Sequence, residues 1–432
     1  MKRPDRGTTI VLVGVALIVV TLAGSALLAP GIPTTGEANE TLVGIHGGGV
    51  GWHEKGSAYL LNGSEKVWEE DSAHSYFEVE MLANGSVLTG FMHDGYQECG
   101  RYEPPCTRTG FRIIDPEPEP RVVSEFSYPV RSAKNSEVHT AKPLPDGGVI
   151  VTDMEYESVF AIEEGEITWR WNASSYYDAP IDATKTDWLH INDVDVLSEG
   201  RYMVSVRNAN QILIIERGEG VVEVINEDRN DADDGSCTGG GQLADTDGDG
   251  DVNCGDPSVL NHQHNPHWLG EGAVLVADSH NDRIVELHRN ESGHWVPVWS
   301  LSRAGGIDLN WPRDADRLPN GNTLISDTLN TRLVEVNETG HMVWSATTPA
   351  VVPYEADRLP YGETNPVPTY NGNLTSPVED PDTGVPGLSL AIVGIRSIYP
   401  GLPYWFNELQ LGFVLLGVGT MLAGAVVRYR AD

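Results

Sequence analysis

Six times along this chain an alternating apolar run ends in leucine and then turns on glycine. The runs read YFEVEML (to Leu82), EVHTAKPL (to Leu144), LHINDVDVL (to Leu197), HQHNPHWL (to Leu269), WPRDADRL (to Leu318) and PYEADRL (to Leu359). Asn84-Gly85, Asp146-Gly147, Glu199-Gly200, Gly270-Glu271-Gly272, Asn320-Gly321 and Tyr361-Gly362 follow them. Glycine supplies the positive φ that a tight hairpin needs. Second strands (SVLTGF, GVIVTD, RYMVSV, AVLVAD, NTLISD), third strands (GFRIID, SVFAIE, QILIIE, RIVELH, RLVEVN) and fourth strands (EITWRW, VVEVIN, WVPVWS, HMVWSA) come next. A period of about 40–50 residues is that of propeller blades. Trp68, Trp171, Trp299 and Trp344 recur in fourth strands, which is read as packing between blades.

Five blades are complete and the sixth is split. Residues 354 to about 371 supply its first strand and perhaps its second; residues 41–70 supply the rest through AYLLNG and EKVWEE. Closing the ring with strands from both ends removes open sheet edges. The expected fold is therefore all-β, a six-bladed β-propeller over 41–371. Five or seven blades stay open, because the split blade rests on the weakest pattern.

The ends are different in kind. Thr8 to Pro30 and Leu409 to Val427 are apolar over close to the ~20 residues a spanning helix needs. Lys2, Arg3 and Arg6 precede the first, and Arg428 and Arg430 follow the second. Positive flanks place both termini in the cytoplasm and the intervening chain outside. The first run exceeds the 7–15-residue core of a signal peptide, which favours a retained anchor over a cleaved leader. The expected plan is a cytoplasmic tail (1–7), a transmembrane helix (8–30), the propeller (41–371) with an insertion at 227–260, a linker or interfacial segment (372–400), a transmembrane helix (409–427) and a second tail (428–432). Both anchors would then leave from the tight-turn face, and the opposite face would look away from the membrane.

Composition fits an extracytoplasmic location. The formal charge is -35, from 63 acidic and 28 basic residues spread along the whole chain. Such a surface disfavours nucleic acid as a partner and suits molar salt, which screens self-repulsion. Cys99, Cys106, Cys237 and Cys254 form two close pairs without CxxC spacing. In an oxidising compartment these imply disulfides Cys99–Cys106 and Cys237–Cys254. Seven glycosylation sequons, at Asn39, Asn62, Asn84, Asn172, Asn290, Asn337 and Asn373, agree.

Counting back five from each inner-strand leucine gives Phe77, His139, Asn192, His264, Arg313 and Tyr354. His190 and His262 lie two places earlier in two blades. Thr140, Asp193, Asn265, Asp314 and Glu355 lie one place later. In a four-stranded meander these positions border the central channel, on the face opposite the tight turns. The second-to-third loops add Arg207, His280, Asn281, Arg283 and Arg332 to that face. Converging imidazoles and guanidiniums suit an oxyanion such as sulfate or phosphate, and a neutral histidine there is a candidate nucleophile or base.

DWLHIND (Asp187 to Asp193), NHQHNPHWL (Asn261 to Leu269), ADSHNDR (Ala277 to Arg283) and the WPRDADRLPNGNTLISDTLNTRLVEVN repeat together resemble the arylsulfotransferase family, over most of 75–349. The resemblance implies a six-bladed propeller moving a sulfuryl group from an aryl sulfate to a phenol through a histidine. Its implied catalytic candidates are His264 and His190, with His139 beside them in the same ring. Asn265 and Arg283 would bind sulfate, joined by Asn192, Arg313, His262 and Arg332 from the channel reading. The fifth and sixth inner strands carry Arg313-Asp314 and Tyr354-Glu355 where another histidine is expected, so either His264 or His190 is the nucleophile or the covalent step has been lost. A non-catalytic surface propeller is the alternative.

A separate signal is Asp245-Thr-Asp247-Gly-Asp249-Gly250-Asp251-Val-Asn-Cys254-Gly-Asp256. Carboxylates at positions 1, 3 and 5, glycine at 6 and aspartate at 12 match a twelve-residue calcium loop. Asp245, Asp247, Asp249, Asp251 and Asp256 are its expected Ca2+ ligands.

Overall fold

Five of the six leucine–glycine turns close a hairpin; the sixth, after Leu359, does not. After Leu82, for example, the Gly85 amide donates to Leu82 O and the Leu82 amide to Ser86 O, both at 2.8 Å; Leu318, Gly321 and Asn322 repeat this at 2.8–2.9 Å. The computed structural model describes residues 5–31, 39–49, 51–229, 252–370, 386–399 and 401–430, with Gly235, Cys237, Leu243 and Asp245. It divides into a propeller unit, Ile32–Asp382, and a helical unit made from the two ends of the chain.

Six four-stranded antiparallel meanders make the propeller. Their innermost strands are Ser75–Met81, Ala141–Pro143, Ile191–Ser198, His264–Gly270, Asp314–Arg317 and Val352–Arg358. The split blade differs in one respect from its sequence reading. Its second strand comes from the N-terminal side: Glu40–Gly47 (ETLVGIHG) pairs with Val352–Arg358, Leu42 opposite Asp357. Ser57–Asn62 and Glu65–Glu70 complete the blade. The residues after Arg358 make no strand; they cross the tight-turn face, where the Val367 amide donates to Leu269 O at 3.2 Å.

The recurrent tryptophans do bridge blades. Trp171 packs with Ile150 and Val159 of its own blade and with Val194, Val204 and Leu213 of the next. Trp299 and Trp344 repeat this two and three blades further on. Each sheet thus buries both faces against its neighbours, which is what holds a ring together.

The helical unit holds α1 (Arg6–Leu28), α2 (Pro386–Ile398) and α3 (Glu408–Tyr429). α1 and α3 have mean hydropathies of 2.7 and 1.9, and each is long enough to cross a membrane. They run antiparallel, Gly7 beside Arg428 and Ser25 beside Gln410. Glycines seven residues apart on each helix, Gly7 and Gly14, Gly417 and Gly424, form the contact. A Cβ on Gly14 would lie 2.6 Å from Gly417 O, and one on Gly424 2.7 Å from Val11 N. Close approach through small residues is how helices associate in lipid, where the hydrophobic drive is missing. α2 falls within the expected linker.

Both expected disulfides form, Cys99–Cys106 and Cys237–Cys254. The calcium loop lies mostly outside the described residues: Asp247, Asp249 and Asp251 are among those not described, whereas Asp245 and Asp256 are. Asp256 anchors the end of the insertion, its carboxylate accepting from Ser258 N at 2.8 Å and its carbonyl from Asn226 Nδ2 at 2.9 Å.

Candidate functional site

The residues five before each leucine meet at one end of the channel. The Phe77 and His139 rings lie 4.7 Å apart, His139 and Tyr354 4.8 Å, Phe77 and Tyr354 5.5 Å, and His264 and Tyr354 6.3 Å. The Arg313 guanidinium sits 5.3 Å from the Tyr354 ring. Asn192 joins less directly: its carbonyl faces the Tyr354 hydroxyl at 3.4 Å, while its amide donates to Gln263 O. His190 reaches the ring from the preceding loop, 5.8 Å from His139.

Left-handed backbone sets several of these side chains. His190, His262 and Asn265 have φ of 56°, 49° and 33°, a strained region for residues with a Cβ and one concentrated at functional sites. At His190 a buried carboxylate holds the turn. Glu157 accepts from the amides of Leu189, His190 and Ile191 at 2.8–3.1 Å. Burial, then the nearby Asp187 charge, pushes its pKa up to about 8.

Hydrogen bonds fix the imidazole tautomers. Both carboxylate oxygens of Asp187 lie 2.9 Å from His190 Nδ1, so that nitrogen carries the proton and Nε2 the lone pair. Ser279 donates its hydroxyl to Pro312 O at 2.6 Å and therefore accepts from His264 Nδ1, 2.9 Å away. His264 Nε2 is then a lone pair, buried and without a partner. His46 has the opposite arrangement. Arg313 Nη1 can only donate to His46 Nδ1, at 2.6 Å, which leaves a proton on the unpartnered His46 Nε2. Burial is the main force holding His46, His139 and His264 well below the ordinary histidine pKa, with Arg313 adding to it at His46 and His264. All three are neutral at pH 7.

Two guanidiniums supply positive charge. Arg313, 6 % exposed, touches His46 and the rings of Trp52, Trp311 and Tyr354, and makes no ion pair with any described carboxylate. Arg207 donates to Asn208 Oδ1 at 3.0 Å and likewise lacks a carboxylate partner. Burial lowers the pKa of both, Arg313 to about 10. Neither Nε has a partner, nor does either polar atom of the Asn265 side chain or either ring nitrogen of His139. His262 and His280 stack beside this group, centroids 4.1 Å apart.

Arg283 and Arg332 are not brought into it. Arg283 Nε binds Asp278 at 2.8 Å, and its Nη2 donates to Ser258 O and Val259 O. Arg332 repeats this one blade on, with Asp327 at 2.7 Å and the carbonyls of Ala304 and Ile307. Asn281 and Asn330 bind the same carboxylates. The repeat D-x-x-N-x-R is thus a brace of blade to loop, and the sequence expectation of sulfate contacts from these arginines is corrected accordingly.

His46, His53 and Glu137 were not singled out from the sequence. They come together at the mouth with ligand-type atoms within 4.8 Å of one another; His53 bridges Glu137 at 3.3 Å and Ser75 at 3.0 Å. The histidine contacts hold Glu137 below the ordinary carboxylate range despite its burial. A metal at this triad is disfavoured by the His46 tautomer, whose proton occupies the free nitrogen. His46 is the penultimate residue of the second strand of the split blade. The signal that finds it is the IHGGG run aligned with the ends of the other second strands, once Glu40–Gly47 is placed there.

No protein-family model matches the chain, and no curated protein matches it. Solved structures similar to it include a protein of unknown function from Bacteroides caccae (TM-score 0.48, 16 % identity, covering 74 % of this chain and 98 % of that one). Others are a putative 6-phosphogluconolactonase from Bacteroides fragilis (0.43, 11 %, 75 % and 99 %) and a periplasmic gluconolactonase from Pseudomonas aeruginosa (0.40, 12 %, 73 % and 97 %).

Proposed function

We propose that the channel mouth binds the sulfuryl group of an aryl sulfate ester and transfers it to a phenol, in the manner the arylsulfotransferase resemblance implies. One observation carries the reading. Two arginines without carboxylate partners, Arg313 buried and Arg207 partly buried, stand beside two imidazoles whose lone pairs are aimed by fixed hydrogen bonds. An anion is what uncompensated buried guanidiniums require, and a lone pair is what attack on sulfur requires.

The roles follow from the tautomers. His264 Nε2 attacks sulfur; an N–S bond forms, the aryl O–S bond breaks, and the donor leaves as phenolate. The acceptor phenol gives its proton to His190 Nε2, which Asp187 steadies as an imidazolium. The phenol oxygen takes the sulfuryl group, the N–S bond breaks and His264 is regenerated. The proton passes from His190 to the departed phenolate or to water. Arg313, Arg207, the His46 Nε2–H and Asn265 neutralise the equatorial oxygens. Phe77, Tyr354, Trp52 and Trp311 provide aromatic walls. With the flanking arginines inside by the positive-inside rule, the propeller and its disulfides lie outside the cell.

The test is mass spectrometry of the protein after exposure to 4-nitrophenyl sulfate in molar salt. A sulfuryl adduct on His264, and phenol-dependent release of nitrophenol lost in His264→Asn, is the expected result. Donor turnover that survives both His264→Asn and His190→Asn would refute this site. No turnover with any donor would favour a binding propeller.

A further inference from the structure

Below the mouth the channel changes sign. The residues four and two before each inner-strand leucine form two deeper rings. These positions hold Glu78, Thr140, Asp193, Asn265, Asp314 and Glu355, then Glu80, Lys142, Asp195, His267, Asp316 and Asp357. Glu363, from the segment crossing the tight-turn face, reaches into the lower ring and pairs with Lys142. Lys142 also contacts Glu78 and Glu80, and His267 Nδ1 faces Asp316 at 3.3 Å. One ammonium and one imidazole cannot offset so many carboxylates.

Several carboxylates that make no ion pair with Lys142 are short of partners. Asp314, Asp316 and Glu355 are 0 % exposed and Asp357 1 %. Asp314 Oδ1, Glu355 Oε1 and Asp357 Oδ1 accept no hydrogen bond, and Asp316 has only the His267 contact. Oxygens of Asp314, Asp316 and Glu363 lie within 4.8 Å of one another. Buried carboxylates without donors are costly unless protonated or bound to a cation. Burial raises the pKa of Asp314, Asp316, Glu355 and Asp357, and each is raised further by its carboxylate neighbours. A cavity of about 570 Å³, lined by Glu80, Asp357 and Tyr361, opens beside this ring on the tight-turn face.

We propose that Asp314, Asp316 and Glu363 hold a Ca2+ ion in the lower channel, with Glu355 and Asp357 completing its charge balance. Hard oxygen donors from two separate segments, without nitrogen or sulfur in the set, suit calcium. The ion ties the innermost strand of the fifth blade to the C-terminal crossing segment and so braces the ring near the split blade.

The measurement is bound calcium per chain, by elemental mass spectrometry, in the full-length protein held in detergent and molar KCl. The protein is stripped with chelator and reloaded with calcium chloride. The insertion supplies a second candidate site, so a loop variant, Asp247→Asn with Asp249→Asn, is compared with a channel variant, Asp314→Asn with Asp316→Asn. The channel variant should bind one ion fewer than the parent and the loop variant should keep the channel ion. Equal calcium in the parent and the channel variant overturns the proposal. Should the channel variant fail to fold, the loop variant decides. Its unfolding midpoint should rise several degrees when micromolar calcium replaces chelator. No rise overturns the proposal and leaves the charge to protons or potassium.

Discussion

Two buried arginines in this protein should respond in opposite ways to the same substitution. Arg283 is an ion-pair partner of Asp278 at 2.8 Å and a donor to two carbonyls. Changing it to glutamine removes the guanidinium that offsets the buried Asp278 carboxylate. Breaking one side of a buried pair costs about 3–5 kcal/mol. At roughly 2 °C per kcal/mol for a domain of this size, the unfolding midpoint falls by about 6–10 °C. Arg313 has no carboxylate to abandon, so Arg313→Gln removes an uncompensated charge and leaves the midpoint unchanged or higher. Binding reverses the order. A hydrogen bond to a charged group contributes about 1.5–3 kcal/mol, and each 1.4 kcal/mol is tenfold in affinity. Arg313→Gln should therefore weaken sulfate binding by roughly 10- to 100-fold, while Arg283→Gln leaves it within about twofold. The assays are thermal unfolding and isothermal titration with sulfate at fixed ionic strength. Equal loss of sulfate affinity in both variants, or a collapse of stability in Arg313→Gln, would refute the division between anion-binding and bracing arginines.

Four further outcomes are expected. Sulfate affinity should be flat from pH 6 to 8, because His46, His139 and His264 are already neutral there, and should fall as Arg313 deprotonates toward about 10; affinity that climbs as pH drops through 6.5 would mean imidazolium binds the anion instead. In chelated protein, stability should decline as pH rises above the unfolded carboxylate pKa of about 4, since Asp314, Glu355 and Asp357 have raised pKa values and hold protons in the fold that the unfolded chain has lost; calcium should flatten this decline in a melting series across pH. Trp299→Ala should lower stability by about 3–5 kcal/mol through the cavity left between two blades, read by denaturant titration. Gly14→Leu should separate α1 from α3, because its added atoms meet Gly417 O and Met421; cysteines placed at Ser25 and Gln410 should then lose their disulfide crosslink in membranes.

What the sequence makes legible is whatever repeats. Each blade restates one strand pattern, so the leucine–glycine turns and the column from Phe77 to Tyr354 can be aligned by eye, and the column does meet in space. The split blade breaks the alignment. ETLVGIHG carries no partner strand beside it in sequence, because its first-strand neighbour lies more than 300 residues away, and so His46 was missed. The repeat also misleads. Arg283 and Arg332 look like site residues for their charge and their loop, yet Asp278 and Asp327, five residues before them, consume that charge in both blades. A feature present in consecutive blades at the same register is more simply a demand of the blade than of one ligand. By that argument the site is carried by what does not repeat: His190 with Asp187, His264 with Ser279, and Arg313 with His46.

The channel also shows why those unrepeated residues sit at one end only. A chain with a net charge of -35 gains nothing from a buried arginine unless something local needs it. Here Arg313 immediately precedes Asp314 of the fifth innermost strand, and Arg207 follows the second strand of the third blade. Where the carboxylates below are ionised they favour the Arg313 charge, while the histidines at the mouth stay uncharged and available. An anion at the mouth and a cation beneath would each lower the cost of burying the other's protein ligands. The two proposed sites are therefore coupled wherever the lower carboxylates are ionised: calcium then offsets part of their negative field, and so should tighten sulfate binding above it. Sulfate affinity measured on the loop variant, with calcium and with chelator, tests this; equal affinity in both would show that the two ends of the channel act independently.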